Sequence, residues 1–171
     1  MSKQNLTDDI KIRAQKIKLL LMDCDGVLTD GKLYFSADGE EIKVFHVRDG
    51  QGLTMWHEAG FRSGIISGRD SKIVKKRATE LGIKFIKQGS KDKAICFEEI
   101  LADAKISAEE IAFVGDDVQD IVLFEKVGLP IAVADAAAEV FPNVIYTTKA
   151  KGGLGAVREI TDLLLKSKEI E

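Results

Sequence analysis

Short apolar segments with strand character alternate with amphipathic, helix-like segments along almost the whole sequence. Short runs that are nearly all apolar are typical of strands buried on both faces. Their alternation with helices predicts an α/β fold, a doubly wound, Rossmann-like parallel sheet with helices on both faces. The predicted strands are residues 18–22, 62–66, 83–86, 111–114, 131–133 and 144–146.

One segment departs from this alternation. Residues 31–47 hold two β-rich runs around Ala37-Asp38-Gly39, a turn sequence that predicts a β-hairpin. The hairpin follows the first strand directly, so we expect it to project as a flap over the end of the sheet. A chain of 171 residues can bury one full hydrophobic core. We therefore expect a single domain over residues 1–171, without a cap domain.

Composition and charge argue against several classes of protein. The net charge is -3 with both signs interspersed, which disfavours a nucleic-acid surface. The apolar runs are shorter than the roughly 20 residues of a membrane helix. The first 18 residues mix charges where a secretion signal has an apolar block. We expect a cytoplasmic protein without nucleic-acid or membrane partners.

Polar side chains follow each central predicted strand at its carboxyl end. Asp23 and Asp25 follow the first strand, and Lys93 stands in the first turn of the helix after the third. The second strand is followed by Ser67 and Arg69, and the fourth by Asp116, Asp117 and Asp120. Because the carboxyl ends of parallel strands meet at one edge of a sheet, we expect these side chains to share a site.

The chemistry of this predicted site follows from its charge. Several carboxylates at one rim repel each other strongly in a medium of low dielectric constant. Lys93 offsets one charge and a divalent metal offsets two. Oxygen ligands without histidine or thiol favour Mg²⁺, whose open positions phosphate oxygens fill well. Ser67 and the N–H groups at a helix start would donate to the same oxygens. The pattern predicts a metal-assisted site for a phosphoryl group.

Four motifs together resemble the haloacid dehalogenase superfamily of phosphotransferases over residues 18–120: D-x-D-G, a strand ending in Ser, a downstream Lys, and G-D-D-x-x-D. The resemblance implies that Asp23 is the nucleophile and forms an aspartyl-phosphate. Asp25 would protonate the leaving alcohol and later deprotonate water. Mg²⁺ would be held by Asp23, the backbone carbonyl of Asp25, and Asp116. Ser67 and Lys93 would bind the transferring phosphoryl group.

Two further acids would support these groups. Asp120 would orient Lys93 or a metal-bound water. Asp117 fits two roles, since an aspartate at this point is equally typical of a supporting acid and of a simple helix cap. Cys24, flanked by two acids, is expected to be a small buried residue, since neighbouring carboxylates raise the pKa of a thiol. His46 and His57 are expected to be structural or surface residues, although His46 lies in a segment discussed next.

A longer match, over about residues 18–160, resembles the capless branch of 3-deoxy-D-manno-octulosonate 8-phosphate (KDO 8-phosphate) phosphatases. It rests on "DGVLTDGKLYFSADGEEIKVFHVRDGQG", "ISGRDS", "GDDVQD" and "KGGLGAVRE". The resemblance implies hydrolysis of KDO 8-phosphate, in lipopolysaccharide sugar biosynthesis, by a homotetramer whose hairpins pack together and whose neighbouring subunit helps to close each site. By position, the residues that contact the sugar acid would be His46, Val47, Arg48, Asp49, Gly50, Arg69 and Arg77. The sequence departs from the usual pattern at His46, where Asn is more common, and at Lys151, where Arg is.

Two other functions fit the same motifs. A phosphatase for a nine-carbon, sialic-type sugar acid would share all four, although Gly68-Arg69 after Ser67 favours the eight-carbon substrate. A non-catalytic module related to the phosphatase half of a bifunctional cytidylyltransferase is the second alternative. The intact acidic and lysine motifs argue against it, because a binding module has no need of all of them.

Overall fold

In a computed structural model of the chain, which describes residues 8–170, six parallel strands form the central sheet and two short strands form a separate hairpin. The N-terminal and C-terminal ends of the expected domain, residues 1–7 and 171, lie outside the described residues. The elements in chain order are α1 (Asp8–Lys16), β1 (Leu19–Met22), β2 (Tyr34–Phe35), β3 (Glu41–Ile42), α2 (Val47–Glu58), β4 (Arg62–Ile66), α3 (Lys72–Glu80), β5 (Phe85–Lys87), α4 (Lys93–Ala104), β6 (Ile111–Gly115), α5 (Ile121–Phe124), β7 (Leu129–Ala132), β8 (Tyr146–Thr147) and α6 (Ala156–Ser167).

The strand order of the sheet is β5-β4-β1-β6-β7-β8. When the six strands of this sheet are renumbered in chain order, without the hairpin strands β2 and β3, the order is 3-2-1-4-5-6. This is the order of doubly wound folds, so the prediction of fold class is confirmed. The direction of winding reverses between β1 and β6. Met22 lies opposite Val114 of β6 and opposite Ile65 of β4. The loops after these three strands therefore meet at one crevice, where ligands bind in such folds.

Two hydrophobic cores cover the two faces of the sheet. Alternate residues of β1 point to opposite faces, with Leu20 and Met22 in one core and Leu19 and Leu21 in the other. Helices α1, α2, α3 and α6 contribute to the first core, and α4 and α5 to the second. Because each strand of the centre is buried on both sides, its sequence is apolar throughout rather than alternating. Within the described residues, no helix has both the length and the apolar character to cross a membrane.

Side-chain caps fix where the helices that flank the crevice begin. Asp92 accepts hydrogen bonds from the backbone N–H groups of Ala94 and Ile95, so α4 begins at Lys93. Ser71 caps α3 by accepting from Val74 N. Each of the two helices buries one apolar face: Val74 and Ala78 of α3 are buried, as are Phe97, Ile100 and Ala104 of α4. These caps place Lys93 at the edge of the sheet that carries the acidic residues.

The hairpin is present but shorter than the β-rich runs suggested. Its strands contain two residues each, with Tyr34 opposite Ile42 and Phe35 opposite Glu41. Ser36 closes the turn, because its backbone N–H donates to Glu40 O and its hydroxyl accepts from Glu40 N. The segment predicted to form the flap, residues 31–47, ends at Val47, which is the first residue of α2.

Three of the predicted strands begin two residues away from their expected first residue. The strand expected at residues 83–86 is β5, Phe85–Lys87, and the one expected at 144–146 is β8, Tyr146–Thr147. A 3₁₀ turn over Phe141–Asn143, with Pro142 in it, delays β8. The strand expected at 131–133 begins earlier, at Leu129. Pro130 lies in this strand, and its carbonyl accepts a hydrogen bond from Ile145 N.

Candidate active site

The loop after β1 carries Asp23 and Asp25 into the crevice. Asp23 N donates to Val114 O, which continues the β1–β6 pairing by one residue. The chain then turns sharply, and Cys24 O accepts from the N–H groups of Leu28 and Thr29. Gly26 has a φ of +87°, and a Cβ built there would lie 1.9 Å from Asp116 Oδ2. Only glycine lets this loop approach the next acidic loop so closely.

Lys93 joins the acids of two loops. Its Nζ lies 2.8 Å from Asp23 Oδ2 and 2.7 Å from Asp120 Oδ1. Burial alone would lower the pKa of Lys93, but the charges of Asp23 and Asp120 more than offset it, and the pKa is raised. Asp120 is fully buried, and its other oxygen accepts from the backbone N–H groups of Asp116 and Asp117. Asp120 thus fixes both the Lys93 ammonium and the Asp116 loop.

The single positive charge of Lys93 does not offset the negative charges of the acidic cluster. Carboxylate oxygens of Asp23, Asp116 and Asp120 lie within 4.8 Å of one another. Burial, followed by the charges of Asp23 and Asp120, raises the pKa of Asp116 to about 8. Burial raises the pKa of Asp23 to about 6, although Lys93 opposes the effect. Asp116 Oδ1 is buried without a hydrogen-bond partner among residues 8–170. Because Asp120 is engaged by Lys93 and backbone N–H groups, Asp23 and Asp116 are the carboxylates that could hold a hard divalent cation.

A cleft of about 360 Å³ opens between these loops. It is lined by seven residues that the sequence assigned to the site and by three that it did not assign to it. The predicted ones are Asp23, Asp25, Ser67, Arg69, Lys93, Asp116 and Asp117, and the additional ones are Gly68, Lys91 and Gln119. Ser67 is buried at the end of β4, and its hydroxyl accepts from Arg69 N. The cleft therefore combines carboxylates, a hydroxyl and cationic side chains within one concave surface.

The hairpin supplies two charged residues that sequence reasoning missed. Lys43 Nζ lies 2.5 Å from Asp25 Oδ1 and 3.3 Å from Glu41 Oε1. Arg69 contacts the same two acids, at 2.6 Å from Glu41 and 3.5 Å from Asp25. The sequence feature that could have identified them is the alternation of charged and apolar residues over residues 41–44. In an extended strand this alternation puts Glu41 and Lys43 on the same face. We refer to Asp25, Glu41, Lys43 and Arg69 as the ion-pair ring.

The other residues assigned to the sugar acid do not line this cleft. His46 caps α2 by accepting from Arg48 N, and Val47 and Arg48 are exposed. The buried Asp49 carboxylate accepts from the backbone N–H groups of Gly155 and Arg158 at the start of α6. In the described chain Asp49 is thus a structural contact between α2 and α6.

Arg77 belongs to a different part of the surface. A second, smaller and mostly apolar pocket beside α3 is lined by Arg77 with His46, Asp49 and Gly50. A Cβ on Gly50 would lie 2.5 Å from Arg77 Nη2, so the glycine gives room to the guanidinium. Arg77 Nη1 has a 3.6 Å contact with Glu80. In the part of the chain that the structure describes, Arg69 is the arginine that lines the cleft.

Three further residues have structural roles. Cys24 is buried, and burial followed by the charge of Asp25 raises the pKa of its thiol to about 12, which leaves it protonated and inert. His57 Nε2 pairs with Ser63 Oγ away from the cleft. Asp117 caps the 3₁₀ turn Val118–Asp120 by accepting from Val118 N. Its exposed carboxylate nevertheless stands at the rim of the cleft.

The glycine pair of the C-terminal segment contacts the loop after β1 of its own chain. Gly153 N donates to Val27 O, and Gly153 has a φ of +67°. A Cβ on Gly152 would lie 1.7 Å from Gly26 O. The segment before α6 therefore supports the turn that holds Asp23 and Asp25 from behind, at a distance that excludes any side chain.

Comparison with known proteins finds relatives among the haloacid dehalogenase-like hydrolases. Residues 82–159 match the family described as haloacid dehalogenase-like hydrolase. The 3-deoxy-D-manno-octulosonate 8-phosphate phosphatase of Escherichia coli strain B is 45% identical over 157 residues, 92% of this chain and 84% of the relative. The phosphatase of the same name from Yersinia pestis is 42% identical, over 96% of this chain and 88% of the relative.

Solved structures agree with these relatives. The crystal structure of the Yersinia pestis phosphatase has a TM-score of 0.94 and 42% identity, covering 96% of this chain and 89% of that one. A Moraxella catarrhalis KDO 8-phosphate phosphatase, in complex with magnesium, phosphate and KDO, has a TM-score of 0.93 and 36% identity, with coverage of 96% and 94%. The chain therefore belongs to the haloacid dehalogenase-like hydrolases, in the family of the KDO 8-phosphate phosphatases, and is an enzyme of the phosphoric monoester hydrolase class.

Proposed function

We propose that this enzyme hydrolyses KDO 8-phosphate to KDO and phosphate through an aspartyl-phosphate on Asp23. The observation that carries the proposal is the arrangement of Asp23 and Asp25 at one cleft. The first is held 2.8 Å from Lys93, and the second stands two residues on at the same rim. The relatives that the chain matches over most of their length, and a solved structure, are named as phosphatases for this sugar acid and support the choice of substrate.

The residues divide the reaction into two transfers. In the first, an oxygen of Asp23 attacks phosphorus, the bond to the sugar oxygen breaks, and Asp25 gives its proton to that oxygen. In the second, Asp25 takes a proton from water as the water oxygen attacks phosphorus, and Asp23 is released as a carboxylate. Lys93 and Ser67 stabilise the negative charge on the phosphoryl oxygens in both steps.

We assign the metal to Mg²⁺, held by Asp23, Asp116 and the backbone carbonyl of Asp25. The unpartnered Asp116 oxygen and the raised pKa values of both carboxylates fit a hard cation with oxygen ligands. When bound, the metal neutralises the acids and withdraws charge from the phosphoryl oxygens. The magnesium present in the Moraxella catarrhalis relative supports this choice.

Selectivity for a sugar acid is assigned to Arg69. Its guanidinium lies at the rim of the cleft and is 45% exposed, so it remains accessible to a substrate. A carboxylate beside an arginine gains a charge-assisted bond, about 1.5–3 kcal/mol. A neutral sugar phosphate lacks that bond, so we expect kcat/KM for KDO 8-phosphate to exceed that for glucose 6-phosphate by about tenfold or more.

A substrate panel with one pair of variants tests this assignment. Arg69→Ala should lower kcat/KM for KDO 8-phosphate by about tenfold and change the neutral substrate less. Lys72→Ala, an exposed cation at the start of α3, serves as the matched control. The panel includes nine-carbon sugar-acid phosphates, because that alternative shares the motifs. A higher kcat/KM for a neutral sugar phosphate would contradict the KDO assignment while leaving the aspartyl-phosphate mechanism intact.

The outer face of the hairpin leads us to propose a homotetramer. Leu33, Phe35, Ile42 and Val44 are 48–59% exposed on a short ribbon, and Val47 is 80% exposed beside it. Apolar ribbons of this kind are usually covered by another chain. Phe45, next to Val44 in the same segment, packs partly buried against the core.

Sedimentation at micromolar concentration measures the assembly. We expect a tetramer for the wild-type chain and a smaller species for Val44→Glu, because a charge on the covered face would have to be buried. Asp38→Lys at the exposed turn changes charge without touching that face, so it should leave the tetramer intact. A stable wild-type monomer would refute the proposal.

A further inference from the structure

The hairpin places a buried lysine against the acid/base residue. The Lys43 side chain is 4% exposed, although its neighbours Ile42 and Val44 on the same short ribbon face outward. An ammonium group removed from water is costly unless it is paired, and Asp25 and Glu41 pair this one. The contact joins residues 18 positions apart, so it exists only because the hairpin folds back over the cleft.

The two oxygens of Asp25 have different partners. Oδ1 accepts from Lys43 Nζ at 2.5 Å. Among residues 8–170, Oδ2 has only the 3.5 Å contact with Arg69 Nη1, which is too long for a strong hydrogen bond. We propose that Lys43 is the positioning residue for Asp25: by holding Oδ1 it turns Oδ2 towards the scissile bond. This inference rests on the acid/base role of Asp25 in the proposed function.

Glu41 completes the arrangement from the same hairpin. Its carboxylate lies 3.3 Å from Lys43 and 2.6 Å from Arg69, so Glu41 and Asp25 together balance the charge of both cations. The ion-pair ring thereby connects the hairpin to the loops after β1 and β4. Because Lys43 and Glu41 are both hairpin residues, the Asp25 carboxylate is held at Oδ1 only while the hairpin lies on the cleft.

The chemistry of the leaving group gives this role a distinct signature. In the first transfer the Oδ2 proton moves to the leaving oxygen as its bond to phosphorus breaks. A para-nitrophenolate leaves readily without a proton, whereas a more basic phenolate depends on one. A misplaced Asp25 therefore slows poor leaving groups selectively. A merely structural role for Lys43 would lower the rates of all substrates to the same extent.

The experiment measures kcat/KM for a series of aryl phosphates from para-nitrophenyl to phenyl phosphate. For Lys43→Met we expect para-nitrophenyl phosphate to stay within about threefold of wild type and phenyl phosphate to fall by about tenfold or more. Lys43→Arg should restore most of the loss, since it keeps a buried cation. Lys32→Met, on the same hairpin but with a 73% exposed side chain, is the control and should match wild type.

The same series distinguishes failure of the inference from failure of the proposed function. Asp25→Asn should show the same dependence on the leaving group, with a larger loss. Suppose that Asp25→Asn shows this dependence. If Lys43→Met then lowers kcat/KM equally for all the aryl phosphates, or for none of them, the positioning role is overturned. If Asp25→Asn shows no such dependence, the acid role of Asp25 is wrong and the inference falls with it. The ratio of kcat/KM values between two aryl phosphates is measured within one preparation, so a fraction of unfolded variant does not affect it. Lys43→Gln provides a second variant.

Discussion

Asp23→Asn is expected to lower turnover by several orders of magnitude, about 10⁴-fold or more, without loss of the fold. Asparagine has the shape of aspartate, but its amide does not attack phosphorus. Asp23 is also one of the two carboxylates proposed to hold the metal, so the substitution weakens both functions. The measurement is steady-state hydrolysis of KDO 8-phosphate at saturating Mg²⁺, with circular dichroism to verify the fold.

The control for this variant is Asp38→Asn, at the exposed turn of the hairpin, which should retain wild-type turnover. Lys93 loses one anionic partner in Asp23→Asn but keeps Asp120, so its side chain remains paired. Turnover of Asp23→Asn within about tenfold of wild type would contradict nucleophilic catalysis by this residue.

Asp116→Asn should abolish most activity and yet stabilise the metal-free protein at about pH 8. The pKa of Asp116 lies at about 8 in the metal-free fold, above its ordinary value of 3.8. The folded protein thus keeps a proton that the unfolded chain has lost. The stability that this proton provides is complete below about pH 4 and is lost as the pH rises through about 8. Asparagine has no charge to bury and escapes this loss.

Thermal unfolding with a chelator present measures the effect. At about pH 8 we expect the midpoint of Asp116→Asn to exceed that of wild type by about 5 °C, and the difference to shrink towards pH 4. Added Mg²⁺ should raise the midpoint of wild type but not of the variant, and turnover of the variant should fall by about 10²–10³-fold. Asp103→Asn, exposed on α4, is the control. A variant less stable than wild type at pH 8 without metal would contradict the electrostatic account of this cluster.

The parts of the fold that follow from local pattern could be predicted from the sequence. Strands such as Leu19–Met22 and Ile111–Gly115 are buried on both faces, so each is a continuous apolar run. A parallel sheet brings the residues after such runs to one edge, which is why Asp23, Lys93 and Asp116 could be placed together. Strand ends were less accurate where a turn intervenes, as before Tyr146.

The parts that depend on tertiary contacts could not be predicted in the same way. Motif resemblance assigned Asp49 to the substrate, and this stays a prediction. The contacts of its carboxylate with the N–H groups of Gly155 and Arg158, 106 and 109 residues away along the chain, could not be read from the motif. The inward direction of Lys43 also depends on where the hairpin folds. Its alternation with Ile42 indicated which residues share a face, but did not indicate which face lies on the cleft.

Chemical trapping of the phosphorylated residue tests the central claim most directly. During turnover of KDO 8-phosphate the enzyme is quenched in acid and treated with borohydride, which reduces an acyl phosphate but not a free carboxylate. Peptide mass spectrometry then locates the reduced side chain. The proposed mechanism predicts homoserine in place of Asp23, dependent on substrate and absent from Asp23→Asn. Reduction at another carboxylate would contradict it. So would the absence of reduction at Asp23 under conditions where Asp25→Asn accumulates bound phosphate.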